Sequence, residues 1–357
     1  MKHYTPMPKT LQLEISSNCN INCLGCIRTD RLTYSMKGNP AIPKNQFLSL
    51  EKFKEIIYSP ACKELDVVQF CGSIDDPLMH PDLITMVELL QELKVRTLIH
   101  TNASLRTPDY FRKLAKAIKR GKVQFSLDGL EETNHLYRRG TNWNKIMENA
   151  RAYIDAGGNA EWQYIEFSWN EKDTEEARQL AEEMGFNTFK YRRDRSGTPD
   201  PTIPGALEEA GQQTANHWRN KQWDVWISQL EKRFNVKENS GIECFSRQQG
   251  MYFIGFDGKV WPCCFLHNAR WQPAGQFKET DERYSKHYGP NWNDLNHFTF
   301  EEIVNNRFYA EDLTDSWLST THGTGQKDRI YRCTQTCSVK GHCDRPIGNF
   351  KVDDLAT

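Results

Sequence analysis

The chain has 357 residues, a formal net charge of −1, 38% hydrophobic residues and 26% charged residues. That length suffices for one large domain or a domain and a half, and the mean hydropathy of −0.73 predicts a soluble, globular protein. The near-zero charge gives no general reason to expect a nucleic-acid partner, and the apolar runs are too short for a membrane span.

The first 195 residues alternate strand-like and helix-like segments. Runs rich in β-branched and aromatic residues predict strands at 10–16, 65–72, 95–102, 122–129, 161–169 and 186–192. Apolar residues at helical spacing predict helices between them, at 50–59, 83–94, 108–120, 143–157 and 173–185. This repeated alternation predicts a parallel α/β sheet, open or barrel-like.

The pattern changes in the second half of the chain. Pro, Gly and Asp accumulate at 194–205, which predicts a linker. Further on, the pair Asp257-Gly258 between strand-like arms predicts a hairpin with a two-residue turn, and 297–313 predicts one more helix. We therefore expect three regions, at 1–195, 196–240 and 241–357.

Nine of the eleven cysteines fall in two groups at opposite ends of the chain. The first group follows the first predicted strand with the spacing Cys-x₃-Cys-x₂-Cys, at Cys19, Cys23 and Cys26. Residues 1–10 lack the apolar stretch of a signal peptide, and clustered cysteines in such a chain indicate metal binding or catalysis rather than disulfides. We therefore expect a cytoplasmic protein.

Three thiolates on a short loop favour an iron–sulfur cluster with one open iron. Ligand sites gather at the carboxyl ends of parallel strands, where this loop lies. Three cysteines can hold three irons of a [4Fe–4S] cluster, whereas a structural cluster is normally closed by four. The alternatives are a coincidence of spacing and a zinc site completed by His3 or His100.

A Cys-x₃-Cys-x₂-Cys loop after the first strand of a β/α domain resembles the radical S-adenosylmethionine (SAM) superfamily. Three further elements resemble family motifs at strand ends. The segment "CGSIDDP" resembles the family's Gly-Gly-Glu-Pro turn, and "HTNAS" resembles its Thr-Asn-Gly element. The segment "SLDG", followed by "YRRG", resembles a family segment near the SAM ribose and carboxylate. The resemblance assigns SAM binding to Gly72, Ser73, Asp76, Asn102, Ser126, Asp128 and Arg138.

The sequence departs from the family pattern at three positions. Asp76 stands for the family's Glu, and Ala103 stands for its Gly. Gly25 replaces the aromatic that usually precedes the third cysteine, so the adenine contact must come from Ile27 or a later aromatic.

Several other residues lie at or near strand ends. Cys71 is either a hydrogen-atom donor or a small buried hydrophobe, and Ser168 and Arg192 are further candidates for the site. His80 and His100 have either a catalytic role or the role of satisfied polar residues.

The second cysteine group resembles the opening of SPASM and "twitch" domains. Thirteen residues separate Cys244 from Gly258, and four more precede Cys263. The resemblance implies one auxiliary [4Fe–4S] cluster, held by four of Cys244, Cys263, Cys333, Cys337 and Cys343. An open iron, a second cluster and a zinc knuckle that includes His342 are the alternatives.

Taken together, the resemblance implies a partial (β/α)₆ TIM-like barrel followed by a hairpin and loop iron–sulfur domain. It implies that SAM is cleaved reductively to a 5′-deoxyadenosyl radical, which abstracts hydrogen from a substrate, with a flavodoxin or ferredoxin as electron donor. A peptide or protein side chain is the first choice of substrate, a small metabolite or sugar the second, and RNA the third. A non-catalytic zinc or electron-transfer protein is the alternative from another class.

Overall fold

The computed structural model describes residues 4, 7–30, 34, 38–194, 197–219, 241–271, 278–320 and 325–337. The chain divides into two compact units. The first, here the α/β unit, comprises Leu13–Leu50 and Asp66–His217. The second, here the hairpin unit, comprises Met1–Gln12, Glu51–Leu65 and Trp218–Thr357.

The strands of the α/β unit confirm the predicted alternation. After β1 (Thr10–Leu13), which ends at the first residue of this unit, the strands are β2 (Val67–Phe70), β3 (Arg96–Thr101), β4 (Gly121–Ser126), β5 (Ala160–Glu166) and β6 (Thr188–Arg193). From β2 to β6 each strand pairs in parallel with the next. The mostly parallel sheet is not closed, and β6 forms an edge, as in a partial TIM-like barrel.

All five predicted helices are present, among the helices α1 (Leu50–Ile57), α2 (Leu83–Glu92), α3 (Pro108–Ala117), α4 (Asn134–Tyr137), α5 (Trp143–Asp155), α6 (Thr174–Met184) and α7 (Ala206–Arg219). Of these, α4 and α7 lie outside the predicted segments. Local sequence sets their ends: the Thr107 hydroxyl accepts the Tyr110 N–H at the start of α3, and Gly185 ends α6 in the left-handed conformation at φ +87°.

Aromatic side chains fill the layer between the sheet and these helices. The Phe125 ring on β4 lies 5.9 Å from Phe111 of α3, 5.7 Å from Tyr153 of α5 and 5.5 Å from Phe186. All four residues are buried, so this face of the sheet is an ordinary hydrophobic core.

The hairpin unit contains the predicted hairpin, with a longer turn than expected. β7 (Met251–Ile254) pairs antiparallel with β8 (Val260–Trp261), and Ile254 faces Val260. The strands are joined by residues 255–259, and because the Gly255 N–H bonds to the Lys259 carbonyl at 3.0 Å, the turn itself has the three residues 256–258 rather than two.

The predicted helix at 297–313 is interrupted. Helix α11 (Phe300–Val304) begins at a capping box between Thr299 and Glu302, and a π-helical turn (Phe308–Asp312) and α12 (Leu313–Ser316) follow. The break falls at Asn306, whose side-chain amide donates to the Trp292 carbonyl at 3.0 Å. The other helices are α8 (Phe245–Gln248), α9 (Cys264–Ala269), α10 (Lys278–Tyr288) and α13 (Tyr331–Cys337).

Within the described residues, none of the helices combines the length and apolar character needed to cross a membrane. The proposed linker carries no helix or strand between 197 and 205, and α7 begins at Ala206. Residues 195–196 and 220–240 lie outside the described residues, so the predicted boundaries at 195 and 240 stay predictions.

Candidate functional site

The loop that carries the first three cysteines is fixed by backbone hydrogen bonds to another segment of the α/β unit. The Asn22 N–H donates to the Arg139 carbonyl at 3.1 Å, and the Leu24 N–H donates to the Tyr137 carbonyl at 3.2 Å. The segment around Tyr137 is the "YRRG" stretch of the sequence, so two predicted motifs meet in space. Cys23 is 7% exposed, and Cys19 and Cys26 are half-buried.

Each of the three sulfurs has at least one N–H donor directed at it. The Asn102 amide lies 3.8 Å from Cys19 Sγ, the Arg138 guanidinium lies 3.7 Å from Cys23 Sγ, and the Arg28 backbone N–H lies 3.4 Å from Cys26 Sγ. Hydrogen bonds to cluster sulfurs are among the determinants of cluster reduction potential. The donor set therefore fits a cluster held by three thiolates.

The raised pKa values of the thiols also fit an iron–sulfur cluster on this loop. Burial, followed by the charges of Asp76 and the neighbouring thiols, raises the pKa of Cys19. Burial raises the pKa of Cys23 to about 12, against an opposing effect of Arg138. Because buried thiolates are costly without a metal, the residues present fit a thiolate-ligated iron–sulfur cluster.

Asp128 and Arg138, both predicted from the SAM resemblance, form a buried ion pair. Arg138 Nε lies 2.6 Å from Asp128 Oδ2, and the Asp128 side chain is fully buried. The other Asp128 oxygen accepts the Ile165 N–H at 2.7 Å. The pair holds the Arg138 guanidinium where it also reaches Cys23 Sγ.

Asp76 and Asn102 also meet, at the carboxyl ends of β2 and β3. Asp76 accepts the Asn102 backbone N–H at 2.8 Å and the Thr101 hydroxyl at 2.9 Å, so protein donors hold its carboxylate. The side chain of Asn102 reaches Cys19, as described above. Ala103 keeps the left-handed conformation at φ +58°, although it stands where the family has glycine.

The remaining residues of the predicted SAM site lie on the same loops. Gly72 adopts φ +58°, and the Ser73 carbonyl lies 3.9 Å from Cys26 Sγ. Ser126 is the last residue of β4 and faces Gln163 in register. These SAM contacts stay predictions.

Cys71 and His80 have protein partners. The Cys71 thiol lies 3.4 Å from the Leu13 carbonyl. His80, 1% exposed, bonds to the Leu48 carbonyl at 2.9 Å and accepts the Asp82 N–H at 3.0 Å. These contacts support the interpretation of His80 as a satisfied polar residue.

The side chain of Tyr137 lies beside Gly25, the position where the family usually has an aromatic residue. A Cβ added to Gly25 would lie 3.2 Å from the Tyr137 hydroxyl and 3.4 Å from its ring carbon Cε2. The Tyr137 ring lies 4.5 Å from that of Phe167, which stacks on Trp169 at 4.5 Å. Sequence reasoning expected a later aromatic but did not single out Tyr137.

A buried carboxyl pair, which the sequence analysis did not predict, supports the turn after β2. Glu14 Oε1 accepts the N–H groups of Ile74 and Asp75, both at 2.7 Å, and Oε2 accepts that of Ser73 at 3.2 Å. Glu14 and Asp75 are also hydrogen-bonded to each other. In the sequence, Glu14 is visible only as a polar residue at the end of an apolar strand.

Two buried carboxyl groups in contact cannot both be charged without cost, which predicts a shared proton and a pH dependence of stability. Burial, then the charge of Glu14, raises the pKa of Asp75 well above its ordinary value, so the folded protein binds this proton more tightly than the unfolded chain does. A raised pKa stabilises the folded state below the unfolded value of about 3.9, and this stabilisation is lost as the pH rises. We expect Asp75→Asn, whose amide N–H replaces the shared proton, to reduce the fall in the free energy of unfolding between pH 5 and pH 8.

The measurement is urea unfolding of the reconstituted protein at both pH values, with Glu88→Gln, an exposed carboxyl on α2, as the matched control. An Asp75→Asn protein whose stability falls with pH as steeply as that of the control would contradict the shared proton.

The second cysteine group converges on one cavity of the hairpin unit. Cys244, Cys263, Cys333 and Cys337 all line a cavity with about 500 Å³ of empty space, including its opening. Burial raises the pKa of Cys263, and the charges of Cys264, Cys244 and Cys333 raise it further, so these thiols are electrostatic neighbours. The cavity thus brings together the four predicted ligands that the structure describes.

The fifth predicted ligand, Cys343, lies outside the described residues, as does His342. The ten cysteines that the structure describes are all free thiols. In the described part of the chain, no group of three or more His, Cys, Asp or Glu side chains is arranged to hold a single metal ion.

The chain is similar to known proteins in sequence and in fold. Residues 13–181 match the radical SAM superfamily. The chain is 23% identical over 322 residues to the AdoMet-dependent heme synthase of Methanosarcina barkeri (strain Fusaro), covering 79% of this chain and 85% of that protein.

Solved structures with the same fold cover nearly the whole chain. Streptococcus suis SuiB bound to its precursor peptide SuiA matches with a TM-score of 0.56 and 14% identity, over 92% of this chain and 76% of SuiB. His-tagged anSMEcpe with bound AdoMet matches with a TM-score of 0.53 and 14% identity, over 92% of this chain and 86% of that one.

Residues 13–181 therefore carry a radical SAM domain, and the chain is an enzyme. Its cofactors are SAM and the [4Fe–4S] cluster that the fold implies. When bound, they supply a 5′-deoxyadenosyl radical that abstracts hydrogen from a substrate.

Proposed function

We propose that this radical SAM enzyme acts on a peptide or protein side chain. SuiB was solved with a precursor peptide, and anSMEcpe with the Cp18Cys peptide at a TM-score of 0.50 and 14% identity, over 92% of this chain and 88% of that one. The observation that supports the catalytic part of the proposal is the cysteine loop, whose three sulfurs each have an N–H donor. No fourth cysteine stands between Cys19 and Cys26, so the loop suits a cluster that binds SAM at its open iron.

The chain's own residues have distinct roles in this proposal. Cys19, Cys23 and Cys26 hold the cluster, and Asn102 and Arg138 direct N–H groups at its ligands. The turn at 72–76 binds the methionine end of SAM, and Tyr137 offers the aromatic surface for adenine that Gly25 lacks. The site must also exclude water, because a carbon radical would otherwise be quenched by side reactions.

A small metabolite is the second candidate, and one observation favours it. The Methanosarcina barkeri relative is named a heme synthase, and its 23% identity exceeds the 14% of the peptide-bound structures. A direct test incubates the reconstituted enzyme with SAM and reductant and either peptides or porphyrins, then measures 5′-deoxyadenosine. Formation stimulated by peptides supports the first candidate, and stimulation by porphyrins alone overturns it in favour of the second.

We also propose that Cys244, Cys263, Cys333 and Cys337 hold one auxiliary [4Fe–4S] cluster. The support is their convergence on one cavity, since four thiolates close such a cluster. Cys263 precedes α9, and the Glu243 N–H bonds to the Cys337 carbonyl at 2.9 Å, so backbone contacts bring distant cysteines together.

Replacing two of these four ligands should remove the auxiliary cluster. We expect the double variant Cys263→Ala/Cys333→Ala to fall from about eight irons per chain to about four, counted after anaerobic reconstitution. The matched control is Cys264→Ala, which removes the adjacent cysteine, one that does not line the cavity. Eight irons in the double variant, or zinc in place of iron in the wild type, would contradict the auxiliary cluster.

We further propose that a flavodoxin or ferredoxin is the electron donor and that the enzyme acts in the cytoplasm. Reductive cleavage of SAM needs one electron, which a flavodoxin or ferredoxin can deliver at low potential. Oxygen-sensitive clusters and free cysteines suit a reducing compartment, the cytoplasm. Reduction of the purified protein by flavodoxin, monitored by loss of cluster absorbance, is the corresponding check.

A further inference from the structure

The cavity that brings the second cysteine group together has a tryptophan in its wall. Trp317 directly follows α12 and lines the cavity with the four cysteines. It is 8% exposed, and its indole Nε1 is buried with no well-formed hydrogen bond to any described residue. A tryptophan N–H can only donate, and a buried donor without an acceptor is costly. The wall of the cavity therefore contains a buried donor that needs an acceptor.

Other residues of the hairpin unit hold Trp317 in this position. The ring of Tyr4 lies 6.5 Å from that of Trp317 in an edge-on arrangement, and the guanidinium carbon of Arg247 lies 5.8 Å from the centre of the Trp317 ring. The Trp317 carbonyl accepts a hydrogen bond from Arg329 Nη1 at 2.9 Å. The backbone and the ring of Trp317 are thus both held.

Arg329 also connects Trp317 to the segment that carries Cys333. Its side chain is buried, at 1% exposure, and its Nε donates to the Thr334 hydroxyl at 2.8 Å. Thr334 is the residue after Cys333 in α13. One guanidinium therefore joins the neighbour of a predicted cluster ligand to the backbone of Trp317.

Cys333 is the ligand on which the indole acts. Burial, followed by the charge of Cys244, raises the pKa of Cys333 to about 12, and a weak hydrogen-bond contact from Trp317 opposes this rise. A hydrogen bond to an ionised acceptor is shorter and stronger than one to a neutral acceptor. The weak contact should therefore become a full hydrogen bond when Cys333 binds iron as a thiolate.

We propose that the Trp317 indole donates a hydrogen bond to the Cys333 sulfur of the auxiliary cluster and raises the reduction potential of that cluster. The proposal rests on the proposed auxiliary cluster and adds a residue that sets its potential. The reduced cluster carries one more negative charge than the oxidised cluster, so a donor at a ligand sulfur stabilises the reduced form. Trp317 is thus a positioning residue that contacts a ligand without binding iron.

The first test is a redox titration of the reconstituted holoenzyme, followed by electron paramagnetic resonance. SAM changes the signal of the cluster that binds it, so the signal that SAM leaves unchanged belongs to the auxiliary cluster. Trp317→Phe keeps an aromatic ring and removes the N–H. We expect the potential of the SAM-independent signal to become more negative, while the content of about eight irons per chain and the potential of the SAM-dependent signal stay unchanged.

The matched control is Trp271→Phe. Trp271 is another buried tryptophan of the hairpin unit, and it does not line the cavity, so its replacement should leave both potentials unchanged. An unchanged potential in Trp317→Phe, or equal shifts in the two variants, would overturn the hydrogen bond. A wild-type protein that holds only about four irons would instead overturn the auxiliary cluster itself.

A second measurement keeps the proposal testable if Trp317→Phe loses its auxiliary cluster. The wild-type protein is produced with tryptophan isotopically labelled at the indole nitrogen, and pulsed electron paramagnetic resonance is recorded on the reduced holoenzyme. We expect the labelled nitrogen to couple to the SAM-independent signal. Absence of this coupling in the wild type, or a coupling that persists in Trp317→Phe, would overturn the assignment to Trp317.

Discussion

Replacing Cys19, Cys23 and Cys26 by alanine is expected to abolish SAM cleavage. The three thiolates are the protein's whole contribution to the first cluster, so the variant should lose that cluster and fall from about eight irons per chain to about four. The formation of 5′-deoxyadenosine should drop to the level measured without protein. Iron, sulfide and 5′-deoxyadenosine are measured side by side after anaerobic reconstitution.

The matched control for this experiment is Cys62→Ala. Cys62 is also buried, at 6% exposure, and burial raises the pKa of its thiol to about 12, yet it belongs to neither cysteine group. Its replacement should keep all the irons and the activity. A triple variant that retains eight irons or still cleaves SAM would contradict the assignment of these thiols to the catalytic cluster.

The order of elements could be predicted because the sheet is buried on its helix side. The runs at 122–129 and 161–169 alternate apolar and polar residues, and the apolar ones, such as Phe125 and Trp162, became the core. The cysteine loop was equally predictable, because its ligands are close in sequence. The continuous helix predicted at 297–313 was wrong, because a tertiary contact interrupts it: the side chain of Asn306 bonds to the carbonyl of Trp292.

The parts of the site that sequence could not predict depend on residues far apart along the chain. Tyr137 occupies the space beside Gly25, 112 positions earlier, and nothing in either neighbourhood indicates this. The Glu14–Asp75 pair joins a strand end to a turn 61 residues later.

The buried pair Asp128–Arg138 should contribute more to stability than any exposed pair of the α/β unit. Asp128→Ala leaves the Arg138 guanidinium, 15% exposed, without its partner, and it also removes the acceptor of the Ile165 N–H. Losing one partner of a buried pair costs about 3–5 kcal/mol in the free energy of unfolding. Urea unfolding of the reconstituted protein measures this loss.

The exposed pair Arg178–Glu175 provides the control for that loss. Its side chains are 47% and 71% exposed, so Glu175→Ala should cost no more than about 0.5 kcal/mol. Equal costs for Asp128→Ala and Glu175→Ala would contradict a stabilising role of the buried pair. Because Arg138 also reaches Cys23 Sγ, Asp128→Ala should lower the iron content as well as the stability. A large loss of stability with full iron content would show that the pair supports the fold around the loop and not the cluster itself.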